Sequence, residues 1–200
     1  MGCFIPIESR LKYMGFGLVA GIDESGRGPL AGPVVSAVVI LKDSFFSGDL
    51  DDSKVLSEKK RKKLFGQILK NCIDYAIAIV PHATIDKINI LNAVRTANFL
   101  CLNELKCKPD IALIDGIDKQ IIDMPFVTII KGDSRVKSIA AASILAKVVR
   151  DEIMKSYHKD YPCYGFNRHM GYGTREHRGA ICKYGPCEIH RRSYTVKPVS

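Results

Sequence analysis

Apolar positions along this 200-residue chain follow two periods, one of strands and one of helices. Residues 18–23 (LVAGID) and 33–41 (PVVSAVVIL) are β-branched apolar runs separated by a Gly/Pro-rich turn, which predicts two adjacent strands paired as a hairpin. From Ser57 the period changes. Leu64, Phe65, Ile68 and Leu69 recur at helical spacing behind a capping serine and a charged first turn. Residues 74–80 (DYAIAIV) return to strand character and stop at Pro81, after which Thr84 is expected to cap a helix reaching about Leu105. Residues 110–114 (DIALI) and 126–130 (FVTII) read as a fourth and a fifth strand. Residues 138–158 combine high helix propensity with a run of small residues that permits close packing on a sheet.

The predicted order is therefore β-β-α-β-α-β-β-α. Strands followed by helices imply an α/β domain with helices covering a largely parallel five-stranded sheet, the opening hairpin supplying an antiparallel element. Residues 161–200 are rich in Gly, Pro, Tyr, His and Arg and lack clear periodicity, so they are expected to form a cap packed on the domain. Residues 1–200 form one domain in this reading, with an N-terminal extension at 1–17, the core at 18–160 and the cap at 161–200.

Composition narrows the class. With 46% hydrophobic and 26% charged residues, disorder and fibrous architectures are excluded. Apolar runs such as residues 37–41 fall far short of the roughly 20 residues that a membrane-spanning helix needs. Seven cysteines, an odd number scattered through the chain, fit a reducing compartment, and the expected location is the cytoplasm. The start Met1-Gly2-Cys3 resembles an acylation signal, but Pro6 stands where that pattern wants Ser or Thr.

The net charge of +9 is uneven. Residues 1–130 carry 16 Lys or Arg and 15 Asp or Glu, whereas residues 131–200 carry 14 and 6, so the last 70 residues hold +8 of the total. A polyanionic partner and an ordinary solvated basic surface account equally well for that charge.

The acids matter because of where the strands end. Asp23 closes the first strand, Asp115 the fourth, and Asp133 follows the fifth, with Glu24 beside Asp23. In a parallel sheet, sites form beyond the carboxyl ends of strands, so Asp23 and Asp115 would lie side by side if their strands are neighbours. Acids gathered there would repel one another, and hard divalent cations such as Mg²⁺ or Mn²⁺ would relieve the repulsion. Any one of these acids alone would more often be a helix cap or a solvated turn residue.

Other motifs carry less. Gly26-Arg27-Gly28 could let backbone N–H groups approach a ligand, with Arg27 available to a phosphate, but Pro29 and Pro33 rule out the helix that a dinucleotide loop requires. Tyr161, Tyr164, Phe166 and Tyr172 interleave with Arg168, Arg175 and Arg178, a composition suited to stacking on sugars or bases. Most of these aromatics should pack on the core, and Tyr172, between Gly171 and Gly173, is the one expected to be exposed. Cys182 and Cys187, with His169, His177 and His190 nearby, have spacing too loose for a compact zinc site, and zinc is disfavoured. No nucleophile elbow is present.

Taken together, residues 21–35 (GIDESGRGPLAGPVV), Asp52-Ser53-Lys54, Asp115-Gly116, residues 131–147 (KGDSRVKSIAAASILAK), Arg150-Asp151, residues 164–177 (YGFNRHMGYGTREH) and the ending His190-Arg191-Arg192-Ser193-Tyr194 closely resemble the bacterial ribonuclease HII family, in order, from about residue 18 to 195. The resemblance implies a ribonuclease H-like fold and endonucleolytic cleavage of RNA in RNA/DNA hybrids, including incision at one ribonucleotide in duplex DNA. It places that family's four metal-binding, catalytic acids on Asp23, Glu24, Asp115 and Asp133, its glycine-arginine-glycine loop on Gly26, Arg27 and Gly28, and its ribonucleotide-sensing tyrosine on Tyr172. Lys54, Ser138 and Lys147 match positions lining substrate phosphates. Two Mg²⁺ or Mn²⁺ ions, a monomer, and products with 5′-phosphate and 3′-hydroxyl ends are the matching expectations; a sliding-clamp partner has no support in the residues. Ser25 and Met170 depart from the family's usual alanine and lysine. A non-catalytic hybrid-binding module and a different ribonuclease H-like nuclease, such as a resolvase or ribonuclease HIII, are the alternatives.

Overall fold

The computed structural model describes residues 7–45 and 56–195. A helix α1 (Ile7–Tyr13) precedes β1 (Val19–Ser25) and β2 (Val34–Leu41). After them come α2 (Glu58–Asn71), β3 (Cys72–Val80), α3 (His82–Asn103), β4 (Ile111–Asp115), β5 (Phe126–Ile129) and α4 (Lys137–Asp160). Two short helices, α5 (Phe166–His169) and α6 (Arg175–Tyr184), follow in the segment expected to form a cap.

The five strands form one mixed sheet in the order β3-β2-β1-β4-β5. β1, β2 and β3 pair antiparallel, while β4 lies parallel to β1 and β5 parallel to β4. The antiparallel part is thus larger than a hairpin, because β3 returns alongside β2. The α/β class and the mixed five-stranded sheet stand as expected.

Strand alternation divides the core between two faces. On one, Ile22, Val38, Ile40 and Ile114 pack with Ile85, Val94, Ala97 and Cys101 of α3. On the other, Val35, Ala37 and Val39 meet Leu64 and Ile68 of α2 and the small residues of α4. The small-residue run has a clear purpose at Gly21, where an added Cβ would lie 2.2 Å from the carbonyl carbon of Ser138. α4 therefore lies flush on β1, close to the end that carries Asp23. Full burial of Ile139, Ile144 and Leu145 on that helix stabilises the contact by about 1.5–3 kcal/mol per side chain.

Ser57 caps α2 as expected, its hydroxyl accepting from the Lys60 amide. Thr84 does not cap α3. The helix starts at His82 directly after the extended backbone of Pro81, with no side-chain cap, and Thr84 lies inside the first turn. α3 is instead interrupted at Asn89, which has φ 64° and ψ 166°. The Asn89 side chain then accepts from the Asn92 amide at 3.0 Å and restarts the helix. Among the described residues no helix is long and apolar enough to cross a membrane.

Candidate active site

β1 and β4 are adjacent and parallel, with Ile22 opposite Ile114, so the next residues, Asp23 and Asp115, leave the same edge of the sheet together. Asp115 is also the last residue to pair with β5, opposite Ile129. Lys131 then adopts a left-handed backbone, φ 54°, turning the chain into a 3-10 turn, Gly132–Ser134. That turn carries Asp133, and it is anchored by the Gly132 amide, which donates to Asp115 Oδ1 at 2.6 Å. The fold brings together Asp23, Glu24, Asp115 and Asp133.

Their electrostatics are unfavourable without a cation. Asp23 and Asp133 are buried. Burial pushes the Asp23 carboxyl well above the usual carboxylate range; the charges of Glu24, Asp115 and Asp133 add to the effect, and a hydrogen bond from the Ser143 side chain opposes it. Burial likewise raises Glu24, with Arg27 working against the shift and Asp115 adding to it. Carboxylates gathered in this way, with Asp23 and Glu24 raised by burial and by neighbouring charge, are hard oxygen donors suited to Mg²⁺ or Mn²⁺. The side chains are engaged locally: Asp23 Oδ1 accepts from the Glu24 amide at 2.7 Å, and Glu24 Oε1 accepts from Arg27 Nε at 3.0 Å. Among the described residues, no three His, Cys, Asp or Glu side chains are already drawn into ligand geometry.

Arg27 spans two acids. Its Nη2 lies 2.9 Å from Glu24 Oε1 and its Nη1 donates to Asp118 Oδ2 at 2.7 Å. Burial acts against the guanidinium charge, but Glu24 and Asp118 outweigh it and hold Arg27 above its ordinary range.

An open cleft of about 270 Å³ joins Asp23, Glu24, Asp115, loop residues 25–28, Ser143, Lys147 and Tyr172. Tyr172 is 42% exposed, whereas Tyr164 and Phe166 are buried, as the sequence pattern implied. Lys147 Nζ lies 5.9 Å from the centre of the Tyr172 ring and is ion-paired to Asp151 at 2.6 Å. Ser138 is not brought to this cleft: it is 2% exposed, and its amide and hydroxyl both donate to Glu8 Oε1 at 3.1 Å. Lys54 lies outside the described residues.

Tyr172 stands on a layer of histidines. Its carbonyl accepts from the Thr174 amide at 2.8 Å and from His177 Nδ1 at 3.0 Å. Since a carbonyl only accepts, His177 holds its proton on Nδ1, and its Nε2 accepts from His190 Nε2 at 3.0 Å. His190 Nδ1 in turn accepts from the Cys187 amide at 2.9 Å. Both rings are neutral in this chain of bonds, and burial pushes both down to about 4. These histidines thus have a supporting role in place of a metal-binding one.

The sequence pattern does not single out Ser143, Asp118, Arg150 or Arg191, which the fold places at or beneath the site. Arg150 and Arg191 lie within the family-like segments Arg150-Asp151 and 190–194, but their charged neighbours give no local sign that either is buried. Ser143 lies within the family-like segment 131–147, and Asp118 has no local signal.

The whole-chain comparisons agree with this geometry. The family model described as Ribonuclease HII matches residues 20–197. A protein named Ribonuclease HII from Caldanaerobacter subterraneus subsp. tengcongensis is 53% identical over 192 residues, covering 95% of this chain and 79% of that protein. The solved ribonuclease H2 from Pyrococcus horikoshii OT3 is 27% identical with a TM-score of 0.75, covering 90% of this chain and 94% of its own. The RNase HII solved in complex with PCNA from Archaeoglobus fulgidus is 25% identical with a TM-score of 0.74, covering 90% of this chain and 96% of its own. By sequence over most of its length and by the topology of its sheet, this chain belongs to the ribonuclease HII family.

Proposed function

We propose that Asp23, Glu24, Asp115 and Asp133 hold two divalent ions, Mg²⁺ or Mn²⁺, and that the chain hydrolyses the RNA strand of RNA/DNA hybrids and incises at single ribonucleotides in duplex DNA. The products carry 5′-phosphate and 3′-hydroxyl ends. The observation that carries this reading is the parallel pairing of β1 with β4, which puts Asp23 beside Asp115, together with the Gly132 amide that draws the Asp133 turn to Asp115. Bound ions would supply the Lewis acidity that activates water and steadies the leaving oxygen.

The protein's own groups orient the substrate. Glu24 turns from Arg27 toward the carboxylate cluster, and the guanidinium, still held by Asp118, presents its freed edge to a phosphate. Backbone N–H groups of loop 26–28 donate to the 2′-hydroxyl, the group that distinguishes RNA from DNA. Tyr172 stacks on the adjoining sugar, and Lys147, beside its ring, adds positive charge toward the phosphates. The region 161–200 serves as the substrate-contacting cap. The enzyme acts as a monomer in the cytoplasm, a location supported by the scattered cysteines. The PCNA complex of the Archaeoglobus fulgidus relative makes a sliding clamp a candidate partner.

Asp115→Asn tests the assignment. Its side-chain oxygen still accepts from Gly132, so hybrid binding measured by fluorescence anisotropy is retained while divalent-dependent cleavage is lost. Undiminished cleavage would remove Asp115 from the catalytic set.

A further inference from the structure

Two arginines lie beneath the cleft with almost no exposure, Arg150 at 0% and Arg191 at 2%. A buried guanidinium ordinarily faces a carboxylate. These two face backbone. Arg191 Nη2 donates to the carbonyls of Gly26 at 2.6 Å and Pro33 at 3.2 Å, Nη1 to that of Arg27 at 3.0 Å, and Nε to that of Gly32 at 3.0 Å. Arg150 donates from Nε to Pro33 O at 3.0 Å, from Nη2 to Ala31 O at 3.1 Å and from Nη1 to Met170 O at 3.0 Å. Tyr194 adds its hydroxyl, which donates to Arg27 O at 2.8 Å and accepts from Arg191 Nη1 at 3.1 Å.

Peptide planarity gives these bonds a consequence. In a trans peptide the carbonyl of one residue and the N–H of the next point in opposite directions. Holding the Gly26 and Arg27 carbonyls against Arg191 therefore turns the Arg27 and Gly28 amides away from it, on a loop that lines the cleft. Arg150 joins that loop to the segment before Tyr172, because one guanidinium bonds Ala31, Pro33 and Met170. Space is shared tightly: a Cβ at Gly26 would lie 2.2 Å from Arg150 Nε.

We infer that Arg191 and Arg150 are positioning residues for ribonucleotide recognition: Arg191 aims the Arg27 and Gly28 amides into the cleft, and Arg150 sets the separation between that loop and Tyr172. The inference rests on the proposed reading of the cleft and extends it to two groups that touch no substrate. The planar fork of arginine serves several carbonyls at fixed angles, which the point charge of lysine does not reproduce. Arginine's geometry, beyond its charge, is what the loop requires.

The test compares the parent with Arg191→Lys, Arg191→Met and Tyr194→Phe, each checked for cooperative thermal unfolding. Single-turnover incision of a duplex with one ribonucleotide is expected to fall about 100-fold in both Arg191 variants, the effect of misplacing a positioning group by about an ångström. Substrate affinity should change little, and Tyr194→Phe should give a smaller loss of the same kind. A parent-like rate in Arg191→Lys overturns the proposal. Backbone-amide NMR provides a readout independent of hydrolysis: a single-ribonucleotide duplex should shift the parent's Arg27 and Gly28 amides more than an all-DNA duplex does, and Arg191→Lys should abolish that contrast. If the parent fails to cut, the proposed activity fails and the amide contrast alone decides the inference. Its absence in the parent, or its persistence in the variant, overturns it. If neither Arg191 variant folds, Tyr194→Phe decides by the same readouts.

Discussion

The Gly132 amide donates to Asp115 Oδ1 at 2.6 Å, so a single bond couples the end of β4 to the turn that carries Asp133. A Cβ at position 132 would meet Ile139 Cδ1 at 2.6 Å and Asp115 Oδ1 at 3.4 Å. Gly132→Ala must displace the Ile139 side chain or the turn. Overpacking of this kind costs about 1–3 kcal/mol, measurable by urea denaturation, and the shifted Asp133 should raise the Mn²⁺ concentration needed for half-maximal cleavage. Unchanged stability and metal dependence would show that the turn adapts freely.

The Asp23 carboxylate is disfavoured by burial first and then by the charges of Glu24, Asp115 and Asp133. In metal-free buffer Asp23→Asn should therefore stabilise the protein, by about 1 kcal/mol. The parent's melting temperature should rise with added Mn²⁺ because the ion binds the folded state, and the variant's should rise much less. An equal metal-induced rise in both would contradict the role of Asp23 as a ligand.

Tyr172 presents an exposed ring whose backbone is held by His169, Thr174 and His177. Tyr172→Ala should fold normally and incise a single embedded ribonucleotide at least about tenfold more slowly, the scale of one lost stacking contact, while Tyr172→Phe keeps most of the rate. Parent-like incision by the alanine variant would remove Tyr172 from recognition.

The sequence made visible what short-range chemistry determines. Asp23 and Asp115 could be located because each ends an apolar strand, and Tyr172 because glycines flank it. That β1 and β4 are neighbours depends on the whole chain's topology, so the meeting of Asp23 and Asp115 is a property of the sheet order and not of either strand's sequence. Partners distant in sequence were hidden altogether. Arg191 reaches Gly26 across 165 positions, Arg27 reaches Asp118 across 91, and Glu8 reaches Ser138 across 130. The last contact occupies Ser138, a position that the family resemblance assigns to the substrate phosphates and that nothing near it in sequence ties to Glu8. The cap's helices leave little trace in the sequence, because α5 has four residues and α6 has ten with His177 as its buried residue, so neither carries an apolar stripe.

The histidine layer predicts an acid sensitivity of folding. His177 and His190 have folded-state values of about 4, below the ordinary value near 6.5. Each therefore contributes stability that is fully present above about pH 6.5 and is lost as pH falls toward 4, when the unfolded chain binds protons the folded one resists. Asp23 and Glu24, raised in the folded state, act with the opposite sign, since protonation relieves their burial. Thermal melts between pH 7 and pH 4 should show a smaller acid loss in His190→Gln than in the parent. An identical loss in both would contradict the neutral chain of bonds from Cys187 to Tyr172.

The most direct test of the four-carboxylate centre is incision of a DNA duplex containing one ribonucleotide, resolved on a denaturing gel with Mg²⁺ or Mn²⁺ present. The parent is predicted to cut once, at the ribonucleotide, leaving 5′-phosphate and 3′-hydroxyl ends, and Asp115→Asn to cut about 1,000-fold more slowly or not at all. No incision by the parent with either metal, or equal incision by the variant, would contradict it.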